Sequence, residues 1–157
     1  MNSKLLSRRQ AVLLTQRLRR AGKKIAFTNG TFDLLHLGHV TYLQKARQQG
    51  DVLFVGLNSD ASVRSYKGPD RPINPQKDRA LVLAALSCID YVVIFNEPTP
   101  LHLIEALRPD ILVKGADWPK SKIAGADQVE SWGGKVRRIR LVPGRSTTRL
   151  INLMKGI

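Results

Sequence analysis

The sequence predicts an α/β fold, a doubly wound parallel sheet of five strands with helices on both faces. Three observations carry this. Five apolar strand-type runs, Lys24–Phe27, Val52–Leu57, Tyr91–Phe95, Ile111–Gly115 and Lys135–Val142, are separated by helical patterns. Strands alternating with helices imply parallel pairing through right-handed crossovers. Val52–Leu57 is apolar throughout, as a strand covered on both faces must be.

The elements follow in order. Ser7 caps a basic helix over Arg8–Arg20, whose apolar stripe is Val12, Leu13, Leu14 and Leu18 and which Gly22 ends. We read residues 1–22 as an accessory segment packed beside a main domain of residues 23–157. After the first strand, His39–Gln48 suits a helix stopped by Gly50. After the second, a helical turn near Ala61–Ser65 leads into a loop from Lys67 to Pro75, rich in proline and glycine. Arg79–Leu86 is helical, Thr99 and Pro100 open a helix to Leu107, and Ile123–Trp132 forms another, closed by Gly133 and Gly134. The charges of "KVRRIRLV" place the fifth strand at a sheet edge. Ser146 caps a final helix to about Lys155.

Length and composition bound the function. A chain of 157 residues allows one domain with a real core, since roughly 68–70% of the unfolded surface is buried at this size. No apolar run reaches the ~20 residues that span a bilayer, and "MNSKLLSRRQ" has no continuous apolar stretch of signal-peptide type. The expectation is a cytoplasmic protein with no membrane partner. The single cysteine, Cys88, excludes an internal disulfide; it reads as a small hydrophobe at a helix end. The net charge of +14 implies anionic partners.

In an open α/β sheet, ligands bind beyond the carboxyl ends of the strands. Three polar clusters fall there. The first is "FTNGTFDLLHLGH", which sets His36 and His39 three residues apart at a helix start, with Gly38 between them and Asp33 just before. Unpaired N–H groups and the helix dipole favour an anion at that point. Zinc is not expected, because the third histidine, His102, has no matching spacing. The second cluster is "VKGADW", where Lys114, Gly115 and Asp117 could read a base edge. Trp118 could stack on the base or pack in the core. The third is "GRSTTRL", where Ser146, Thr147 and Thr148 at a helix start, with Arg145 and Arg149, would cradle phosphate. The loop "KGPDRP" adds Lys67 and Arg71, read either as a basic clamp or as a solvated turn. There is no G-x-x-x-x-G-K-[ST] loop, no G-x-G-x-x-G fingerprint and no G-x-S-x-G elbow.

Taken together, "NGTFDLLHLGH", "KGPDRP", "DRALVLAAL", "LVKGADW" and "GRSTTRLI" resemble the cytidylyltransferase-like nucleotidyltransferase superfamily, and within it the heptose 1-phosphate adenylyltransferases. The similarity runs from about Lys24 to Ile151. It implies a Rossmann-like domain of nucleotidyltransferase type, here in a stand-alone form with no sugar kinase before it. The implied reaction joins ATP and D-glycero-D-manno-heptose 1-phosphate to give ADP-heptose and pyrophosphate, for lipopolysaccharide core or related glycan synthesis. Mg²⁺ is expected with the triphosphate rather than in a protein cage.

The resemblance assigns His36, His39 and Lys67 to catalysis. It gives the nucleotide to Thr28, Asn29, Gly30, Thr31, Phe32, Gly38, Lys114, Gly115, Asp117, Ser146, Thr147 and Thr148. Asp33, Arg71 and Arg79 would contact the sugar phosphate, with a structural salt bridge as the alternative for Arg79, and a homodimer is implied. Many relatives carry Cys at the position of Thr31 and Tyr at that of Trp118. Two rivals are weighed beside this reading. One is a CTP-dependent enzyme of the glycerol or ethanolamine phosphate type, or an adenylyltransferase for another phosphorylated metabolite. The other is a basic nucleic-acid-binding module, disfavoured by the 6% aromatic content and the lack of a known signature.

Overall fold

The computed structural model describes residues 3–156, so the outermost residues of the expected segments 1–22 and 23–157 lie outside it. The elements run β1 (Leu5–Leu6), α1 (Arg8–Arg20), β2 (Ile25–Gly30), α2 (Leu37–Arg47), β3 (Val52–Asn58), α3 (Asp60–Lys67), α4 (Gln76–Ala85), β4 (Tyr91–Phe95), α5 (Leu101–Leu107), β5 (Ile111–Gly115), α6 (Ala126–Ser131), β6 (Lys135–Ile139) and α7 (Thr147–Met154). All strand pairs are parallel, in the order β1-β4-β3-β2-β5-β6. The sheet thus has six strands where five were expected. The addition is the two-residue β1, which pairs Leu5 with Val92 and Leu6 with Val93. Two residues are too few to show a period of two, so only the neighbouring strand reveals it.

The strands bury both faces, and their alternation sorts side chains between two cores. Ala26, Leu53, Val55 and Leu57 join Leu43, Leu83 and Ala84 on the α2 and α4 side. Ile25, Phe27 and Phe54 join Leu103, Ile104 and Leu107 on the α5 side. Aspartates at the strand entries secure the ladder: Asp110 accepts from the Ile25 N–H and Asp90 from the Leu53 N–H, each at 2.8 Å. β6 lies at the edge, as its charges suggest.

Helix α1 has the expected bounds and a complete capping box between Ser7 and Gln10. Three of its four expected stripe residues, Val12, Leu14 and Leu18, pack against the core. Leu13 is 49% exposed, while Ala11 and Thr15 face the core. Thr15 is tolerated there because its hydroxyl donates to the Val12 carbonyl at 2.9 Å. Arg19 donates to the carbonyls of Leu107 and Arg108, capping the end of α5.

Two boundaries differ in ways that matter to the site. Lys67 is not a loop residue; it ends α3. The helix expected over Ile123–Trp132 is shortened to α6, and a separate 3₁₀ turn at Lys120–Lys122 stands before it. Gly125 precedes α6 at φ 85°, where any Cβ would lie 2.7 Å from Ile104 Cδ1.

Among the described residues no helix is long and apolar enough to cross a membrane.

Candidate active site

The chain order reverses beside β2. From β2 the sheet grows through β3 to β4, then returns to β2's other side with β5. A cleft of about 360 Å³ opens beyond the carboxyl ends of β2 and β5 at this switch point. The starts of α2 and α7 form its far wall.

Most of the expected nucleotide residues meet in this cleft. Asn29, Gly30, Thr31, Phe32, Gly38, Lys114, Gly115, Asp117, Ser146, Thr147 and Thr148 all line it, together with His36, His39 and Lys67. After β2 the chain turns sharply at Phe32, whose φ of 48° is left-handed and strained for a residue with a large side chain. The turn carries the Phe32 ring to His39, edge to face at 5.3 Å between centroids. His36 then occupies the N-cap position of α2 in extended backbone conformation, and its ring stacks on His39 with centroids 3.8 Å apart and planes 24° apart. Gly38 permits this stack, since a Cβ there would lie 2.9 Å from His36 Cε1 and 3.2 Å from Arg145 Cβ. The close approach it serves is between side chains as much as to a ligand.

The stacked pair is held neutral. Removal from water is the main reason that His39 is lowered to about 4; the nearby His36 and Lys67 add to the effect. The Leu34 carbonyl pulls weakly the other way, without reaching hydrogen-bond geometry to the buried Nδ1. Burial and then Arg145 lower His36 as well. Neutral imidazoles keep one N–H each for a ligand. Asn29 Oδ1 and the Nδ1 atoms of both histidines are buried without a hydrogen-bond partner, and all three belong to residues of the cleft wall. Buried polar atoms left unpaired call for a polar ligand.

The opposite wall is built for a flat, polar group. Lys114 sits with its Nζ 5.6 Å from the centre of the Trp118 ring, and burial, partly offset by Asp117, lowers it to about 8. Trp118 is 47% exposed, which decides against the core-packing alternative. Gly115 is needed because a Cβ would overlap Asp117 Oδ1. On α7, Ser146 accepts from the Arg149 N–H at 3.2 Å, and Thr147 donates to the Leu34 carbonyl at 3.0 Å, tying α7 to the turn before α2.

Four expected residues do something else. Thr28 is fully buried, and its hydroxyl bonds that of Tyr42 at 2.8 Å beneath the cleft rather than reaching into it. Asp33, expected to orient the sugar phosphate, is 1% exposed. Its carboxylate accepts from the Ile73 and Asn74 N–H groups at 2.6 and 3.0 Å and from Arg71 at 3.1 Å. Arg71 is itself engaged by Asp33, through both carboxylate and carbonyl. Arg79 is 2% exposed and donates to the carbonyls of Asn74, Thr31 and Asn58 and to the Asp60 carboxylate. Asp33 is therefore corrected from a substrate contact to a structural one, and Arg79 takes the salt-bridge alternative: a buried ion needs its partners from the protein, and these two hold the 71–74 segment against the turn after β2.

Tyr42, Leu141 and Val142 also line the cleft and escaped sequence reading. Tyr42 lies one turn beyond His39, a spacing that could have flagged it. Leu141 and Val142 continue the apolar pattern of the last expected strand, but that strand, β6, ends at Ile139.

The fold and site define an α/β protein with a switch-point cleft lined by two helix starts, a neutral histidine stack and cations. Comparison with known proteins is consistent with this: residues 27–150 match the cytidylyltransferase-like family model, and the chain belongs to that family. It is 64% identical over 85% of its length to "Bifunctional protein HldE" of Syntrophotalea carbinolica, covering 27% of that protein. It is 55% identical over 96% of its length to the protein of the same name from Pelobacter propionicus, covering 31%. The chain thus spans less than a third of the length of these relatives. Among solved structures, a lipopolysaccharide core biosynthesis protein from Thermoplasma volcanium is similar, with a TM-score of 0.62 at 27% identity, over 77% of this chain and 98% of that one. A pantoate-beta-alanine ligase from Francisella tularensis shares the fold, with a TM-score of 0.63 at 16% identity, over 98% of this chain and 78% of that one.

Proposed function

We propose that this protein transfers the adenylyl group of ATP to D-glycero-D-manno-heptose 1-phosphate, releasing pyrophosphate and forming ADP-heptose. The observation that carries this reading is the His36–His39 stack between the starts of α2 and α7, flanked by Lys67 and Arg145. Such a wall fits a triphosphate, and the relatives' similarity over most of this chain supports the heptose assignment.

The base lies against Lys114, Gly115, Asp117 and Trp118. The triphosphate runs along His36, His39 and the start of α7, at Ser146, Thr147 and Thr148. A sugar phosphate oxygen attacks the α-phosphorus in line, and the bond to the departing pyrophosphate breaks. The attacking oxygen carries no proton at neutral pH, so no general base is required. Catalysis is positioning and charge stabilisation. His36 and His39 donate N–H bonds to the transition state, and Lys67 and Arg145 offset charge moving onto pyrophosphate. The acceptor occupies a second cleft of about 430 Å³ that shares Lys67 and Lys114 with the first and adds Asn58, Tyr66, Thr99 and Lys122.

Mg²⁺ fits this site as a passenger of the triphosphate. Among the described residues Asp117 is the only acid lining the nucleotide cleft, and no group of three or more His, Cys, Asp or Glu there could hold a metal. Bound there, the ion would neutralise phosphate charge.

The test is pyrophosphate release from ATP or CTP, each offered with heptose 1-phosphate, glycerol 3-phosphate or ethanolamine phosphate. Turnover should require ATP with the heptose phosphate. A preference for CTP, or for another acceptor, would overturn the assignment.

A further inference from the structure

The wall between the two clefts is made by a contact that none of the roles above uses. Tyr66 ends α3 beside Lys67. Its side chain does not join the core: it is 52% exposed and lines the second cleft. Two contacts hold it there. Its hydroxyl bonds the hydroxyl of Thr31, in the turn after β2. Its ring lies beneath the Lys67 ammonium, with Nζ 5.9 Å from the ring centre. Thr31 and Lys67 both line both clefts.

Lys67 needs such a support. It is on the last turn of α3, and the chain leaves the helix at Gly68, with φ 95° and open space around its Cα. The described ion pairs give Lys67 no carboxylate. Arg71, bound to Asp33, repels Lys67, and the Asp33 carboxylate attracts it less than Arg71 repels it. A four-carbon lysine stem holds its end loosely, and a loosely held cation stabilises a transition state poorly.

We propose that Tyr66 is a positioning residue for Lys67: anchored through its hydroxyl to Thr31, its ring sets the ammonium at the opening between the two clefts, facing the phosphates of both substrates. This rests on the proposed transfer reaction for its consequence in turnover, but not for its geometry. Tyr66→Phe keeps the ring and loses the anchor, Tyr66→Ala loses both, and Thr31→Val removes the anchor from the other end.

The experiment has two arms on the full chain, with circular dichroism melts confirming that each variant folds. The first needs no turnover. In protein labelled with ¹³C-lysine, the Lys67 Cε–H signal is assigned by its loss in Lys67→Arg. It should be shifted upfield by the aromatic ring in wild type and return to an ordinary lysine position in Tyr66→Ala. An unchanged signal in Tyr66→Ala overturns the proposal.

The second arm is steady-state pyrophosphate release. Tyr66→Phe and Thr31→Val should each lower kcat roughly 2–10-fold, the range that one neutral hydrogen bond supports, and in Tyr66→Phe KM for ATP stays within about twofold. The double variant should be no worse than either single one, and Thr31→Ser should recover most of what Thr31→Val loses. Equal kcat in wild type, Tyr66→Phe and Thr31→Val overturns it, as does a loss confined to KM. If wild type releases no pyrophosphate with any acceptor, the transfer reading has failed, and the lysine signal alone decides on Tyr66.

Discussion

Lowering the pH should weaken this fold through one ring. His39 is packed against His36 at 3.8 Å and Phe32 at 5.3 Å, with Lys67 near. Its protonated form is therefore disfavoured, and it is lowered from 6.5 to about 4. The folded value lies below the unfolded one, so acid favours the unfolded chain. The contribution is whole above pH 6.5 and is lost as the pH falls from there toward 4. At pH 5 the unfolded histidine is almost fully protonated while the folded one is almost fully neutral. The gap is about one and a half decades, and at 1.36 kcal/mol per decade the loss is about 2 kcal/mol. Urea unfolding at pH 7.5 and 5.0, in wild type and in His39→Gln, isolates it, because the other groups titrate in both proteins. Wild type should lose about 2 kcal/mol more than the variant. Equal losses, or an imidazole NMR titration of His39 with its midpoint near 6.5, would refute the reasoning.

Three further outcomes are expected. His39→Ala should lower kcat at least about a hundredfold, the usual cost of removing one placed transition-state donor, with an unchanged circular dichroism spectrum; near-normal turnover would remove it from catalysis. Arg79→Met strips donors from three carbonyls and leaves Asp60 without its cation, so the urea midpoint should record a loss of roughly 3–5 kcal/mol; an effect on KM alone would return Arg79 to the substrate. Gly115→Ala places a methyl group against Asp117 Oδ1 and 3.3 Å from Leu141 Cδ2, so it should raise KM for the nucleotide while leaving the melting curve close to wild type.

Much of the fold was legible because its signals are local. The strands Tyr91–Phe95 and Ile111–Gly115 and the helix Arg8–Arg20 occupy the expected residues, since an unbroken apolar run or a capping serine needs no distant partner to be recognised. The site motifs were legible for the same reason: "HLGH" and "RSTT" are helix starts, and their groups point where the helix begins. The late start of α6 was not legible, because a glycine inside a helical pattern does not show its positive φ, and Ile104, which packs against Gly125, lies in another helix.

The sequence by itself determined the class of fold, the switch-point location of the cleft and most of the residues that line it. These follow from periodicity, capping and the rule that α/β sheets bind ligands at their carboxyl ends. Only the tertiary structure decided which charged residues face the ligand. Asp33, Arg71 and Arg79 look in sequence like Lys67 and Lys114, polar groups near a glycine-rich turn. Folding gives Asp33 to Arg71 and to the Ile73 and Asn74 N–H groups, gives Arg79 to the carbonyls of Thr31, Asn58 and Asn74 and to the Asp60 carboxylate, and leaves the two lysines on the cleft walls. A charge commits to protein or to ligand according to which partner is within about 3 Å, and that distance exists only once the chain has packed.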